Sequence, residues 1–246
     1  NSTRLFPGTK AHSSGKAARQ NGRKTQCTRN PSGKEKQKVP KGSEELTNAR
    51  KAEIVDACAS LYEKMGYQEI TIRDIGEKTA FTRTSIYTYF QTKEEIFLAL
   101  LQREYEAWST DLDALSRSGP GAGTFADTLA ATLEKRICML QLTSMNLYDM
   151  EGNSRMENLI SFKRAYGSAA DAVLRCLAVY CPHMTEKGRQ EFRYLFFPFL
   201  FGVYPYTNAT EKQKEAMDRA HIRSVCYSVR ELVRLFVTRL LQSIGF

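Results

Sequence analysis

An all-α fold is what this sequence predicts, and three observations predict it. Apolar residues recur at helical spacing along most of the chain after Glu44, and no run of alternating β-branched residues competes with them. Two segments open on a threonine followed three residues later by an acidic residue, the arrangement that caps helix starts: Thr71 with Asp74 and Thr92 with Glu95.

Taken in order, the first helix is expected from Glu44 to Met65, because Ile54, Ala57, Cys58, Leu61 and Met65 fall on one face. Gly66 is expected to stop it as a left-handed cap. Thr71 starts a second helix, Thr82 caps a third, and Thr92 starts a fourth that runs to about Ser116. There SRSGPGAG, residues 116–123, breaks the chain with three glycines and a proline. Four further helices are expected at about Phe125 to Met150, Met156 to Tyr180, Thr185 to Tyr204 and Glu211 to Ile244. Gly152-Asn153, Cys181-Pro182 and the stretch from Pro205 to Asn208 separate them, and no internal repeat is evident.

Composition narrows the function classes. The formal charge of +9 suggests a polyanionic partner, but residues 1–46 hold eleven Lys and Arg against three Glu. The remaining 200 residues carry 25 basic and 24 acidic groups and are nearly neutral, so nucleic-acid binding has to be argued from local residues. Residues 1–46 are polar, contain Pro7, Pro31 and Pro40 and show no periodicity, which predicts a disordered basic tail or leader without an apolar secretory signal. Six cysteines, Cys27, Cys58, Cys138, Cys176, Cys181 and Cys226, form no CxxC pair, and with only three histidines no metal site and no cofactor is expected. Scattered thiols of this kind suit a reducing cytoplasm. The uncharged run from Tyr194 to Tyr206 is too short for a bilayer span, which takes about 20 apolar residues.

Function is most legible between Thr71 and Lys93. Ile72 and Ile75 give the second helix an apolar face, and Ile86 with Phe90 gives the third an i, i+4 apolar pair. Arg83, Thr84, Ser85, Tyr87 and Tyr89 are left for another surface. Two very short helices so close together form a helix-turn-helix, whose second helix enters the DNA major groove. No nucleophile-base pair, phosphate loop or metal cluster supports an enzyme.

From about Asn48 to Trp108 these residues resemble the DNA-binding domain of tetracycline-repressor-type (TetR) bacterial transcription regulators. The resemblance rests on Gly66-Tyr67, Thr71 with Ile72 and Ile75, Thr82, the run from Ile86 through Tyr87, Thr88 and Tyr89 to Phe90, and Lys93-Glu94. Two positions depart from the pattern: Ala80 and Thr84 stand where glycine is usual or frequent, and Ala80 is compatible with the turn only at an ordinary φ. The resemblance implies a homodimer with a helix-turn-helix domain at 47–108 and a helical ligand-binding and dimerisation domain at 109–246. It implies a regulator, expected to be a repressor, released from a palindromic DNA operator by a small-molecule effector. A DNA-bound adaptor of the same fold, its second domain binding a protein, is the alternative.

Arg83, Thr84, Ser85 and Thr88 are the candidates for base contact, although an Arg in a first helical turn can also serve phosphate. Thr71, Thr82, Tyr87, Tyr89 and Lys93 carry hydroxyls, phenols and an ammonium suited to phosphate oxygens, with partial burial of Tyr87 as the other reading. Trp108, Cys138, Leu142, Met145, Phe162, Tyr166 and Tyr204 are candidates for an effector pocket, against the ordinary reading of such residues as core. If they line a cavity, it suits a hydrophobic or aromatic molecule. The apolar helix around Phe192, Phe196 and Phe199 and the final helix, with Val225, Val229, Leu232 and Phe236, either build a dimer interface or complete the core of one chain.

Overall fold

A computed structural model describes residues 41–121, 123–222 and 225–245, and among them every regular element is helical. The first, α1 (Lys41–Tyr62), buries Ile54, Cys58, Leu61 and Tyr62. It starts at Lys41, inside the stretch expected to be a tail; the rest of that stretch lies outside the described residues. Its end also differs from expectation. The chain turns from Tyr62 through Met65, whose N–H still reaches the Leu61 carbonyl at 2.9 Å. Gly66 is not left-handed, and its N–H instead donates to the Glu69 carboxylate at 2.6 Å.

Three threonine caps start the next helices. At α2 (Ile72–Glu77), Thr71 and Asp74 form a complete capping box. At α3 (Arg83–Ile86) the Thr82 hydroxyl accepts from the Ser85 N–H, and at α4 (Lys93–Ser118) the Thr92 hydroxyl accepts from the Glu95 N–H. Four residues cannot hold a helix alone, so α3 depends on packing. Ile75, Ile86 and Phe90 are buried beneath it, and a Cβ at Gly76 would make only ordinary contact, 3.5 Å from Ile86 Cδ1, so the packing there does not demand glycine. Ala80 keeps an ordinary φ, as an intact turn requires, and its N–H is satisfied by Glu53 on α1 at 3.1 Å.

Beyond the glycine-rich break lie α5 (Phe125–Glu134), α6 (Ile137–Met145), α7 (Leu147–Gly152), α8 (Met156–Tyr180), α9 (Glu186–Thr207), α10 (Glu211–Arg219) and α11 (Val229–Ile244). Only α8 has the boundaries the sequence suggests. The helix expected from Phe125 to Met150 is three helices, jointed at Arg136 and Asn146, both outside helical dihedrals. Arg136 is turned toward α4, where it pairs with Asp111 and, at 3.8 Å, with Glu104. Pro205 does not end α9, which runs through Pro198 and Pro205 to Thr207 because burial of Phe192, Phe196, Phe197, Leu200 and Val203 outweighs two missing N–H donors. The long final helix is divided: α10 stops at Arg219 and a Ser228–Glu231 capping box starts α11 nine residues later.

The long helix α4 runs from the helix-turn-helix into this bundle and packs along α8, while α11 packs on α5 and α9. Ala165, Ala169, Ala170 and Ala172 are buried on α8, and Tyr105, Trp108 and Leu112 are buried on α4. Tyr105 meets Phe162 and Tyr166 edge-on at 5.9 and 5.5 Å, and Tyr166 meets Phe197 of α9 at 5.5 Å. No described helix is long and apolar enough to cross a membrane, and no metal-binding cluster occurs among the described residues.

Candidate nucleic-acid interface

Thr71, Arg83, Tyr87 and Lys93, far apart in type, are brought to one groove of about 560 Å³ between α2, α3 and the start of α4, together with Gln68, Ile70, Ile72, Arg73 and Glu94. Arg83 lies exposed along its own helix, one guanidinium nitrogen donating to the Tyr87 phenol at 3.2 Å, with its carbon 5.7 Å from that ring. That contact with a neutral phenol leaves most of the guanidinium's five donors available. Thr84 and Thr88 are exposed beside it. Ser85 is less available, because its hydroxyl and its N–H both engage Thr82.

The phosphate candidates are placed unequally. Thr71 donates its hydroxyl proton to Asp74 at 2.7 Å, so a phosphate oxygen would have to displace that carboxylate. The two Thr71 hydrogen bonds hold the Asp74 carboxyl below its ordinary range, which keeps an anion at this helix start. Lys93 is half-buried and turned inward: Nζ donates to the Tyr67 carbonyl at 3.0 Å and more weakly to that of Ile70 at 3.4 Å, and lies 4.7 Å from the Tyr67 ring. Two of its three protons hold the α1–α2 connection, and one remains for the groove. Tyr87 is exposed, whereas Tyr89 is half-buried and its phenol accepts from Arg50 on α1 at 2.9 Å. Arg50, together with Arg73 on α2, was missed in the sequence because nothing in the local pattern of an exposed arginine distinguishes it; only the fold brings Arg50 to Tyr89. Arg73 is partly neutralised by Glu77 at 2.9 Å.

Residues 54–100 match the family of bacterial regulatory proteins, tetR family, and residues 102–242 match the tetracyclin repressor-like C-terminal domain. The chain belongs to the TetR family. It is 27% identical over 105 residues to an uncharacterized HTH-type transcriptional regulator, YfiR of Bacillus subtilis, covering 37% of this chain and 51% of that protein. It is 30% identical over 93 residues to the HTH-type transcriptional repressor Rv1474c of Mycobacterium tuberculosis, covering 38% of this chain and 48% of that one. The chain thus spans about half the length of these curated relatives. Among solved structures it is similar to the fatty acid degradation regulator FadR from Bacillus halodurans, with a TM-score of 0.49 and 16% identity over 78% of this chain and 94% of that one. A second is RolR in complex with resorcinol, with a TM-score of 0.42 and 14% identity over 80% and 96%.

In the C-terminal part of this TetR-type chain, the seven effector candidates do not share one cavity. Trp108, Leu142 and Phe162 are fully buried side chains of the packed core, and the Trp108 indole N–H donates to Thr132 at 3.0 Å. Tyr166 is half-buried in the same aromatic cluster, and Met145 is 60% exposed on the surface. Cys138 and Tyr204 both line a cleft of about 750 Å³ that also takes in Tyr62 at the end of α1, Glu63 and Lys64 just beyond it, Leu100, Arg103 and Glu104 of α4, and Lys135, Ile137 and Gln141. Burial pushes the Cys138 thiol up to about 12 and raises the Tyr62 and Tyr204 phenols, so all three stay neutral hydrogen-bonding groups. The contribution of α1 was not legible in the sequence, because residues about seventy positions apart carry no common local pattern.

The interface candidates divide as well. Phe192, Phe196 and Val229 are buried inside the protomer and offer no side chain to a second copy. Val225 is 74% exposed but stands in the α10–α11 connection, outside any helix. Phe199 and Phe236 stack at 3.8 Å with planes 5° apart, half-buried between α9 and α11, and Leu232 is half-buried a turn before Phe236. Tyr194, Leu195, Phe201 and Tyr206 are exposed, so the uncharged run of α9 is covered on only part of its circumference, and Leu235 of α11 is exposed near Thr124 and Asp127 at the start of α5.

Proposed function

We propose that this protein is a homodimeric repressor that holds a palindromic operator through α3 and leaves it when a small molecule binds. The observation that carries the reading is the groove shared by Thr71, Arg83, Tyr87 and Lys93, with Arg83, Thr84 and Thr88 pointing away from the core. In this reading Arg83, Thr84 and Thr88 contact base edges, Ser85 supports the turn, and Thr82, Tyr87, Tyr89, Arg50 and the remaining Lys93 proton meet phosphates. Residues 47–108 serve DNA and residues 109–246 serve ligand and dimer, with the end of α1 and α4 contributing to the ligand cleft as well. Repression is supported by the name of the Mycobacterium tuberculosis relative.

The effector site is the cleft between α1, α4, α6 and α9. Its lining mixes the phenols of Tyr62 and Tyr204 and the apolar Met65, Leu100 and Ile137 with the charged Glu63, Lys64, Arg103, Glu104 and Lys135, which suits an amphipathic molecule carrying both an aromatic or aliphatic body and polar groups. A ligand there touches the last turn of α1 directly, which supports a change in the spacing of two recognition helices that must lie about 34–36 Å apart on DNA. Footprinting on DNA upstream of the protein's own and adjacent genes, followed by titration of candidate metabolites, tests the reading. A protected palindrome released by one metabolite class is expected; absence of any sequence-specific protection would refute it.

A further inference from the structure

A buried carboxylate with an unusual set of partners joins the recognition segment to the C-terminal helices. Glu95, in the first turn of α4, is fully buried, and a buried carboxylate is costly unless both oxygens are satisfied. Its Oε1 accepts from the Arg155 backbone N–H at 3.0 Å and Nε at 2.6 Å; its Oε2 accepts from the Gln91 N–H at 2.7 Å and from Arg155 Nη2 at 2.9 Å. The same Nη2 donates to the Tyr89 carbonyl at 3.1 Å. One guanidinium at the start of α8 therefore binds both the end of the recognition segment and the first turn of α4. Two further hydrogen bonds run in parallel: the Thr92 hydroxyl to the Asn153 carbonyl at 3.0 Å, and the Tyr67 phenol to the Asp149 carboxylate at 3.0 Å. Asp149, Asn153 and Arg155 all lie in the corner from α7 to α8.

We propose that Arg155, acting through Glu95, is a positioning residue for DNA recognition: it fixes the orientation of residues 83–91 from the α7–α8 corner, so that operator affinity depends on where that corner sits. The inference rests on the reading of α3 as the DNA-contacting helix. A forked guanidinium suits the task because it spans a carboxylate and a carbonyl at once, which an ammonium does not. Coupling of this kind needs an element that both sites bias, and the corner meets the recognition segment at one end and continues into α8, packed on α4, at the other.

The test uses the full chain with Arg155→Gln, Arg155→Lys and Glu95→Gln, singly, and the double variant Glu95→Gln/Arg155→Gln. Hydrogen exchange without DNA is expected to quicken about tenfold in residues 83–92 for each single variant, with Phe162 to Leu177 of α8 unchanged. Affinity for the footprinted DNA fragment is expected to fall about tenfold in each, a typical coupling, and the double variant to be no weaker than the weaker single one. Arg155→Lys, which keeps the charge and loses the fork, is expected to behave as Arg155→Gln. Unchanged exchange in 83–92, equal acceleration in every helix, or losses that multiply in the double variant would each overturn the proposal. Should the wild-type chain show no footprint, the DNA reading fails, while the exchange measurement still decides whether Arg155 holds the segment.

Discussion

Arg83 and Glu95 illustrate two ways a charged residue is used within thirteen positions of each other. Arg83 is exposed and spends its charge on no carboxylate among the described residues, so its value lies in what approaches it. Arg83→Ala is expected to lower preference for the operator over scrambled DNA by about 1 to 3 kcal/mol while leaving weak, salt-sensitive binding, measured by competition binding on both DNAs. Equal loss on both would mean a phosphate contact only. Glu95 is the opposite case. Burial opposes its ionisation, but hydrogen bonds from the Arg155 side chain, the Gln91 N–H and the Arg155 N–H prevail and hold the carboxyl below its ordinary range. A carboxyl lowered in the folded state adds stability that is present above its unfolded pKa and is lost as pH falls through the folded value. The stability difference between wild type and Glu95→Gln in urea titrations is therefore expected to be widest near neutral pH and to narrow on acidification below about 4.5. A difference independent of pH would show that the ionised form is not what contributes.

Among the elements, the best-read ones are those whose signals are local. Thr71, Thr82 and Thr92 announced α2, α3 and α4 because a cap and its partner lie three residues apart, and Ile75, Ile86 and Phe90 announced their buried side. Elements decided by distant contacts were misread. Arg136 joints α5 and α6 through acidic groups on α4, twenty-five or more positions away, and Pro205 stays helical because α9 is anchored by Phe196, Leu200 and Val203 in the turns before it, which the proline itself does not reveal. Glu95 was recognised as part of a helix start, yet the destination of its carboxylate, Arg155, was invisible for the same reason. The start of α11 was a local signal overlooked, since Ser228 and Glu231 form a capping box that the apolar rhythm from Ile222 onward concealed. Ser228→Ala is expected to cost about 1 kcal/mol and Ser228→Thr much less, read from urea midpoints. Equal stability of the alanine variant would show that α11 is held by its packing on α5 and α9 alone.

For the molecule as a whole, the proposed palindromic operator asks for two copies that present two α3 helices together, joined by an apolar, self-complementary surface. The exposed apolar residues of α9 and α11, Leu195, Phe201 and Leu235 among them, meet that requirement better than Phe192, Phe196 or Val229, which are already covered. Leu235 discriminates well because it is 43% exposed, so a charge there costs the isolated protomer little. In an isologous interface the same substitution appears twice around the two-fold axis, so Leu235→Glu buries two like charges in one patch. The variant is expected to sediment as a monomer where the wild-type chain sediments as a dimer, with its far-ultraviolet circular dichroism unchanged. Its operator affinity should fall by roughly 10² to 10⁴, the avidity lost when two half-sites can no longer be held by one molecule. A Leu235→Glu chain that remains dimeric and holds its operator as tightly as before would place the dimer surface elsewhere. The exposed side of α9 would then be left for a different partner.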